Sequence, residues 1–109
     1  MSTENVFRVT VRGRFSSLDE RTRSFLEHHV VEHSIFNSAF TPEGTFVYDD
    51  RIQFFNLRYE IRSTHGLAGA ESEALVEAKR FLSTLSIPHQ GLRAKGTNVS
   101  ALWDDARPG

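Results

Sequence analysis

Five arginines share the same alternating set of polar positions in two stretches of the chain, residues 6–15 and residues 53–62. The planar guanidinium group offers paired donors that match the oxygens of a carboxylate or a phosphate. If both stretches are strands of one sheet, these side chains share a face and form a candidate anion-binding surface. The candidate ligand-binding residues are Arg8, Arg12, Arg14, Arg58, Glu60 and Arg62.

The predicted ligand of this surface is a phosphate, a carboxylate metabolite or an acidic protein partner. Two interpretations without a ligand remain open. The arginine stems could cover the sheet with Glu60 bridging two of them, or two copies could meet through Arg–Glu pairs across a two-fold axis. We do not expect nucleic acid as a partner, because the parity that exposes the arginines leaves only Phe54 on that side for base stacking.

Two histidines in the sequence His29-Val-Val-Glu-His33 match the inverted zincin pattern. On a helix, His29 and His33 lie one turn apart and could share a metal ion. A catalytic zinc site needs a third protein ligand and a cleft, for which a chain of 109 residues leaves little room. We therefore predict histidines at the boundary of the core, no metal site and no cofactor.

Other residues capable of chemistry have ordinary structural explanations. His65 and His89 lie in predicted loops without a visible partner, and Tyr59 lies among buried positions, where its hydroxyl needs a hydrogen bond. The aromatic residues before and within the edge strand are predicted to belong to the core rather than to a pocket. They are Phe36, Phe40, Phe46 and Tyr48.

The strands that position the arginines are predicted from a period of two. In residues 53–62 the positions Phe55, Leu57, Tyr59 and Ile61 alternate with polar side chains, which is typical of a strand with one buried face. Residues 6–15 follow the same pattern. Shorter strands are expected at residues 44–48, which form a hairpin with residues 53–62 through Asp49-Asp50-Arg51, and at residues 91–97.

Two helices are predicted between these strands. A capping box of Ser17 and Glu20 begins a helix that runs to about His33. Its buried side is expected to carry Leu18, Phe25, Leu26, His29, Val30 and His33. The second helix is predicted over residues 70–85 after a polar loop of residues 63–69. Its apolar stripe is Ala74, Leu75, Ala78, Leu82 and Leu85.

The resulting order β-α-β-β-α-β predicts an α+β fold of the ferredoxin-like split-sandwich type. Both helices then cover one face of a four-stranded antiparallel sheet, and the arginine face is bare. Adding Arg93 and Lys95 from the last strand, this face holds seven of the 13 basic residues. We expect one domain over residues 1–109, ordered from about residue 5 to residue 103 with Trp103 packed on the body. A loose tail is expected over residues 104–109.

Composition narrows the function classes. The formal net charge is −1, so no global charge argument for nucleic acid exists. The absence of cysteine excludes disulfides, thiolate metal sites and a cysteine nucleophile. No signal peptide or membrane span is visible, and we expect a cytoplasmic protein without membrane contact.

Three segments and one further residue carry a resemblance to a known family. The segments are Val9-Thr-Val-Arg-Gly-Arg-Phe15, Ala39-Phe-Thr-Pro-Glu-Gly-Thr45 and Arg58-Tyr-Glu-Ile-Arg62, with Trp103 near the end. Together they resemble a bacterial family of short proteins known only as a domain of unknown function. The resemblance implies a small cytosolic bacterial protein and carries over no catalytic residues. More loosely, the fold is similar to dimeric α/β-barrel proteins, which include monooxygenases and polyketide cyclases.

Three hypotheses about function follow. The first is an accessory or binding module, expected to be a homodimer, whose arginine-rich face meets an anionic small molecule or an acidic protein. The second is a small metal-free enzyme of the dimeric α/β-barrel type, a cyclase or isomerase. In it, Arg12 or Arg58 would polarise an oxyanion and a histidine or tyrosine would handle the proton. The third is a module that only dimerises.

Overall fold

The chain folds into four strands and two helices in a computed structural model that describes residues 4–33 and 39–100. The elements are β1 (Asn5–Phe15), α1 (Glu20–His28), β2 (Thr45–Tyr48), β3 (Phe54–Ser63), α2 (Gly66–Thr84) and β4 (His89–Asn98). The sheet is antiparallel throughout with the order β2-β3-β1-β4, so the two arginine-bearing strands are central. The predicted ferredoxin-like α+β fold is confirmed.

The alternating residues of β1 and β3 build one wall of the core. Their inward side chains are buried against α2, while the residues between them point to the opposite face. The inward set is Phe7, Val9, Val11 and Phe15 on β1 and Phe55, Leu57, Tyr59 and Ile61 on β3. The burial pattern therefore agrees with the predicted parity of both central strands.

The first helix differs from its prediction at both ends. Its N-cap is Asp19 instead of Ser17, and the Asp19 Oδ1 accepts a hydrogen bond of 2.7 Å from the Thr22 amide. Hydrogen bonding from Thr22 lowers the pKa of Asp19. The helix ends at His28 rather than near His33. The Leu26 carbonyl accepts from the His29 amide and from the Tyr48 hydroxyl, and this tertiary contact accompanies the early end.

Only one residue of the predicted apolar stripe of α1 is fully buried. Leu26 enters the core, whereas Phe25 is 54% exposed. Leu18 and Val30 pack against the edge of the core from the segments flanking the helix. The prediction for Phe25 was wrong because a helix of nine residues presents a narrower face to the sheet than the longer helix we expected.

The second helix begins four residues earlier than predicted, at Gly66. The loop before the helix is shorter than predicted. Within this loop, the Ser63 hydroxyl accepts a hydrogen bond from the His65 amide. Small residues at a spacing of four let the helix lie close to the sheet. The buried positions are Ala70, Ala74, Ala78 and Leu82, and Leu85 follows the helix and is exposed.

The hairpin turn between β2 and β3 forms as predicted. The Asp49 Oδ1 accepts hydrogen bonds from the amides of Gln53 and Phe54 at 2.8 and 2.9 Å. The carboxylate thereby satisfies two backbone amides that have no partner strand at the turn. Aspartate commonly has this role in turns.

Several expectations lie outside the described residues, namely those for Phe36, for Trp103 and for residues 104–109. Among the helices of residues 4–33 and 39–100, neither has the length and apolar character needed to cross a membrane.

Candidate anion-binding face

The side chains that point away from α2 form the face we call the open face. On β1 they are exposed at Arg8, Arg12 and Arg14, and on β4 at Arg93 and Lys95. On β3, Arg58 and Glu60 are half-buried and Arg62 is exposed. The structure therefore brings all six predicted site residues onto one face.

This face is open on its β1–β4 side and closed on its β2 side, which corrects the expectation of a uniformly bare sheet. Val47 lies directly across from Asn56 and so shares the open face, yet it is only 2% exposed. The alternation of a strand predicts which face of the sheet a side chain lies on, but it does not predict whether other residues cover that face.

Like charges meet directly across the two strands on the open side. Arg12 of β1 lies opposite Arg93 of β4, and Lys95 lies two residues further along β4, opposite Thr10. Like charges at facing positions of an antiparallel pair are destabilising. The strand pairing therefore concentrates positive charge although the net charge of the chain is −1.

A groove lies over this charge, and its floor includes an aromatic ring. The Cζ atoms of Arg12 and Arg14 each lie 5.3 Å from the ring centroid of Phe54, within cation–π range. The groove has a volume of about 660 Å³. We call it the Phe54 groove; it is lined by Thr10, Arg12, Gly13, Arg14, Phe54, Asn56, Gly91, Arg93 and Lys95.

A β-bulge at Gly91 shapes one wall of the groove. The pairing between β1 and β4 shifts by one residue between Arg12 and Arg14, so that two residues of β4 face one residue of β1. Gly91 has a φ of 67°, and a Cβ placed on it would meet no atom within 4 Å. The bulge therefore provides open space beside the arginines.

The cations of the groove have no acidic partner within the part of the chain that the structure describes. The arginine–carboxylate pairs in that part are Arg62 with Glu4 at 3.8 Å and Arg80 with Glu77 at 3.0 Å. Neither pair contains a groove residue, and no carboxylate is among the lining residues. The groove is a concavity of one charge sign.

Asn56 adds an unsatisfied polar group to the same lining. Its Oδ1 atom is buried and accepts no hydrogen bond from any described residue. Asn56 lies directly opposite Arg12. We did not single it out from the sequence, because an asparagine on the polar side of a strand carries no local sign of burial.

The other end of the open face is built around Phe40, which corrects the prediction that Phe40 belongs to the core. The Cζ atoms of Arg8 and Arg58 lie 5.6 and 5.8 Å from its ring centroid. The carbonyl of Thr41 accepts a hydrogen bond of 2.9 Å from the Glu60 amide, which ties this segment to β3. We call Arg8, Phe40, Arg58 and Glu60 the Phe40 cluster; no periodic pattern around Phe40 could have located it.

The two histidines of the zincin-like motif point to different partners. The Nδ1 of His29 donates to Glu32 Oε2 at 2.9 Å, and the Nδ1 of His33 donates to the Phe46 carbonyl at 2.8 Å. The His33 ring also stacks on Tyr48 with a centroid distance of 5.4 Å. Residues 4–33 and 39–100 contain no group of three or more side chains suited to hold a metal ion.

The tyrosines and the histidines predicted in loops are not among the lining residues of the Phe54 groove. The loop prediction for His89 was wrong, because His89 pairs with Phe15 as the first residue of β4. Burial, followed by the charge of Glu32, raises the pKa of Tyr48 to about 12. Burial, followed by the charge of Glu77, raises the pKa of Tyr59 to about 12. The Tyr48 hydroxyl donates to the Leu26 carbonyl at 2.6 Å, and His89 Nδ1 donates to the Ile87 carbonyl at 3.0 Å.

Comparison with known proteins identifies a family. A model of a family of unknown function, DUF6204, matches residues 1–107. No curated protein and no solved structure matches the chain. The resemblance to a domain of unknown function is thereby confirmed, and the chain belongs to the DUF6204 family.

Proposed function

We propose that this protein is a binding module whose Phe54 groove holds an anionic small molecule. The observation that carries the proposal is the charge of the groove lining. Four cationic side chains, Arg12, Arg14, Arg93 and Lys95, surround one concavity without a carboxylate among the lining residues. Guanidinium and ammonium groups in such a concavity raise the local concentration of anions.

A bound anion would offset a cost that the folded chain carries. Arg12 and Arg93 face each other across the sheet, where like charges cost roughly 0.2–1 kcal/mol per pair. The cation–π contacts of Arg12 and Arg14 with Phe54 also support a site, because they favour positions of both guanidinium groups beside the groove before a ligand arrives.

The shape of the groove favours a small molecule over an acidic protein. Its volume of about 660 Å³ falls in the range of pockets that enclose a metabolite-sized ligand. A protein partner would need about 800 Å² of surface on this side of the interface. The β2 side of the open face is closed at Val47, which leaves less flat surface for such a partner.

Charge argues against pairing of two copies through this face. A two-fold contact would bring the arginines and Lys95 of both copies together, and the carboxylates beside them are Glu60 and Glu4, the latter already paired with Arg62 at 3.8 Å. Self-association of such a face is repulsive. The expected homodimer stays a prediction and would need another surface.

The enzyme hypothesis receives less support than the binding hypothesis. General acid–base catalysis requires a titratable group within reach of the bound molecule. Among the described residues, the groove lining contains no histidine, tyrosine, aspartate or glutamate, and its one lysine, Lys95, is exposed on β4.

The test is a comparison of two charge-matched double variants. Arg12→Gln/Arg93→Gln removes two cations from the groove, and Arg23→Gln/Lys79→Gln removes two exposed cations from the helices. Thermal melting is followed with inorganic pyrophosphate, citrate and glucose 6-phosphate. A ligand at about 100 times its Kd stabilises the fold by about 2.7 kcal/mol, which raises Tm by several degrees.

We expect the wild type and the helix variant to shift with at least one probe and the groove variant to shift with none. The proposal is wrong if no probe shifts the wild type. It is also wrong if the groove variant shifts as much as the helix variant.

A further inference from the structure

We infer that the anion bound by the Phe54 groove is a nucleoside diphosphate, with Asn56 as the residue that recognises its base. This inference rests on the proposed function and deepens it. It follows from three features of the groove, namely its size, the arrangement of its cations and the unsatisfied amide of Asn56.

The first feature is size. A groove of about 660 Å³ is far larger than a single phosphate or pyrophosphate needs, and pockets of this volume enclose molecules with a substantial organic part. A compact inorganic anion would leave most of the groove filled with water. The ligand therefore has an organic part beside its charge.

The second feature is that the cations fall into two groups. The Cζ atoms of Arg12 and Arg14 each lie 5.3 Å from the Phe54 ring centroid, and guanidinium groups beside an aromatic ring offer surfaces on which flat nucleobases pack. Arg93 and Lys95 lie on the neighbouring strand without an ion-pair partner among the described residues. The cations of β4 suit two ionised phosphates, and the two arginines beside Phe54 suit a planar ring.

The third feature is Asn56. Its amide lies in the groove lining, and Oδ1 is buried without a hydrogen bond from any described residue. A buried acceptor without a partner is uncommon in folded proteins. A ligand that donates an N–H group can satisfy it once the amide turns Oδ1 toward the groove. Asparagine amides pair with the donor and acceptor edge of adenine, so adenosine diphosphate is the best probe.

A single-stranded nucleic acid fits less well than a nucleotide. The cationic surface does not continue along the whole sheet, because the other end of the open face contains Glu60 and its arginines lie against Phe40. A polynucleotide would need a continuous cationic track and further stacking platforms.

The experiment is isothermal titration of the full chain with adenosine diphosphate, inorganic pyrophosphate, adenosine and a short oligoadenylate. Asn56→Leu removes the amide while keeping a side chain of similar size, and pyrophosphate binding by this variant reports whether the groove is intact. For the wild type, we expect adenosine diphosphate to bind at least tenfold more tightly than pyrophosphate. For Asn56→Leu, we expect a loss of about tenfold for adenosine diphosphate, with pyrophosphate affinity kept within twofold.

The possible outcomes separate this inference from the proposed function. Equal affinity of the wild type for adenosine diphosphate and pyrophosphate overturns the nucleotide inference and leaves the anion site standing. Tighter binding of the oligoadenylate overturns it in favour of nucleic acid. Binding of neither phosphate compound overturns the nucleotide inference and, together with failure of the earlier melting screen, the anion site as well. If Asn56→Leu loses pyrophosphate binding or does not fold, the wild-type affinity ratio alone decides.

Discussion

The open face holds two phenyl rings, each beside two arginines, yet its two ends are built differently. The ring of Phe40 comes from the connection before β2, and its arginines are Arg8 and Arg58. The ring of Phe54 belongs to β3 itself, and its arginines are neighbours on β1. The Phe40 cluster includes a carboxylate, whereas the lining of the Phe54 groove has none among the described residues.

The comparison shows that a count of arginines does not locate a site. At the Phe40 end, another segment of the chain occupies the face, and the Thr41 carbonyl is bonded to the Glu60 amide there. The arginines at that end help to hold the fold together. At the Phe54 end the bulge at Gly91 leaves space, and the cations remain available to a ligand.

The largest predicted difference in stability is between alanine substitutions of two glycines, Gly44 near the Phe40 cluster and Gly91 in the Phe54 groove. Gly44 and Gly91 both have positive φ, at 91° and 67°. A Cβ on Gly44 would also lie 2.8 Å from Cζ of Tyr59, whereas a Cβ on Gly91 would meet nothing within 4 Å. Gly44→Ala should therefore lower the free energy of unfolding by about 3 kcal/mol, through backbone strain and overpacking, and Gly91→Ala by only about 1 kcal/mol.

Urea denaturation of both glycine variants measures this difference. Equal destabilisation by the two substitutions would mean that Tyr59 does not crowd Gly44. A Gly91→Ala variant that folds normally would also serve to probe the groove, since it places a methyl group in the open space.

A smaller difference in stability is predicted for the two tyrosines, which lie on the helix-covered face of the sheet. Tyr48 donates to the Leu26 carbonyl, and no described residue hydrogen-bonds the hydroxyl of Tyr59. Tyr48→Phe should lower the free energy of unfolding by about 1 kcal/mol, and Tyr59→Phe should leave it nearly unchanged. Denaturation near neutral pH checks this, and a larger loss for Tyr59→Phe would contradict it.

The same tyrosines predict how stability depends on alkaline pH. Burial raises the pKa of both from 10.0 to about 12, so the neutral phenol is favoured in the folded state. Their contribution to stability is fully present below pH 10 and is lost as the pH rises from 10 to about 12. The double variant Tyr48→Phe/Tyr59→Phe should lose less stability than the wild type across this interval. Parallel unfolding curves for the two proteins would refute the assignment.

The smallest effect concerns two arginines on the same sheet face. Arg93 faces Arg12, so Arg93→Gln should relieve repulsion and raise the free energy of unfolding by about 0.5 kcal/mol at low salt. Arg8 lies on Phe40, so Arg8→Gln should lower the free energy by about 0.5 kcal/mol. Added salt should erase the gain of Arg93→Gln, because it screens exposed charges. If both substitutions change the free energy of unfolding in the same direction, the proposed difference between the Phe54 groove and the Phe40 cluster is wrong.

Much of the fold was predictable from local patterns. The period of two in β1 and β3 predicted their burial, and the aspartate at position 49 predicted the hairpin turn. The short first helix, the exposure of Phe25 and the early start of α2 were not predicted. Each depends on a contact with a distant part of the chain or on a helix entry that lacks a side-chain cap.

For this protein, the sequence by itself determined which side of the sheet receives the arginines, because alternate residues of a strand point to opposite faces whatever surrounds them. Only the tertiary structure decided which of those arginines stay available. Coverage of the sheet depends on where the segment containing Phe40 lies and on the bulge at Gly91. These features arise from contacts between residues far apart in the chain, and no local pattern of residue types encodes them.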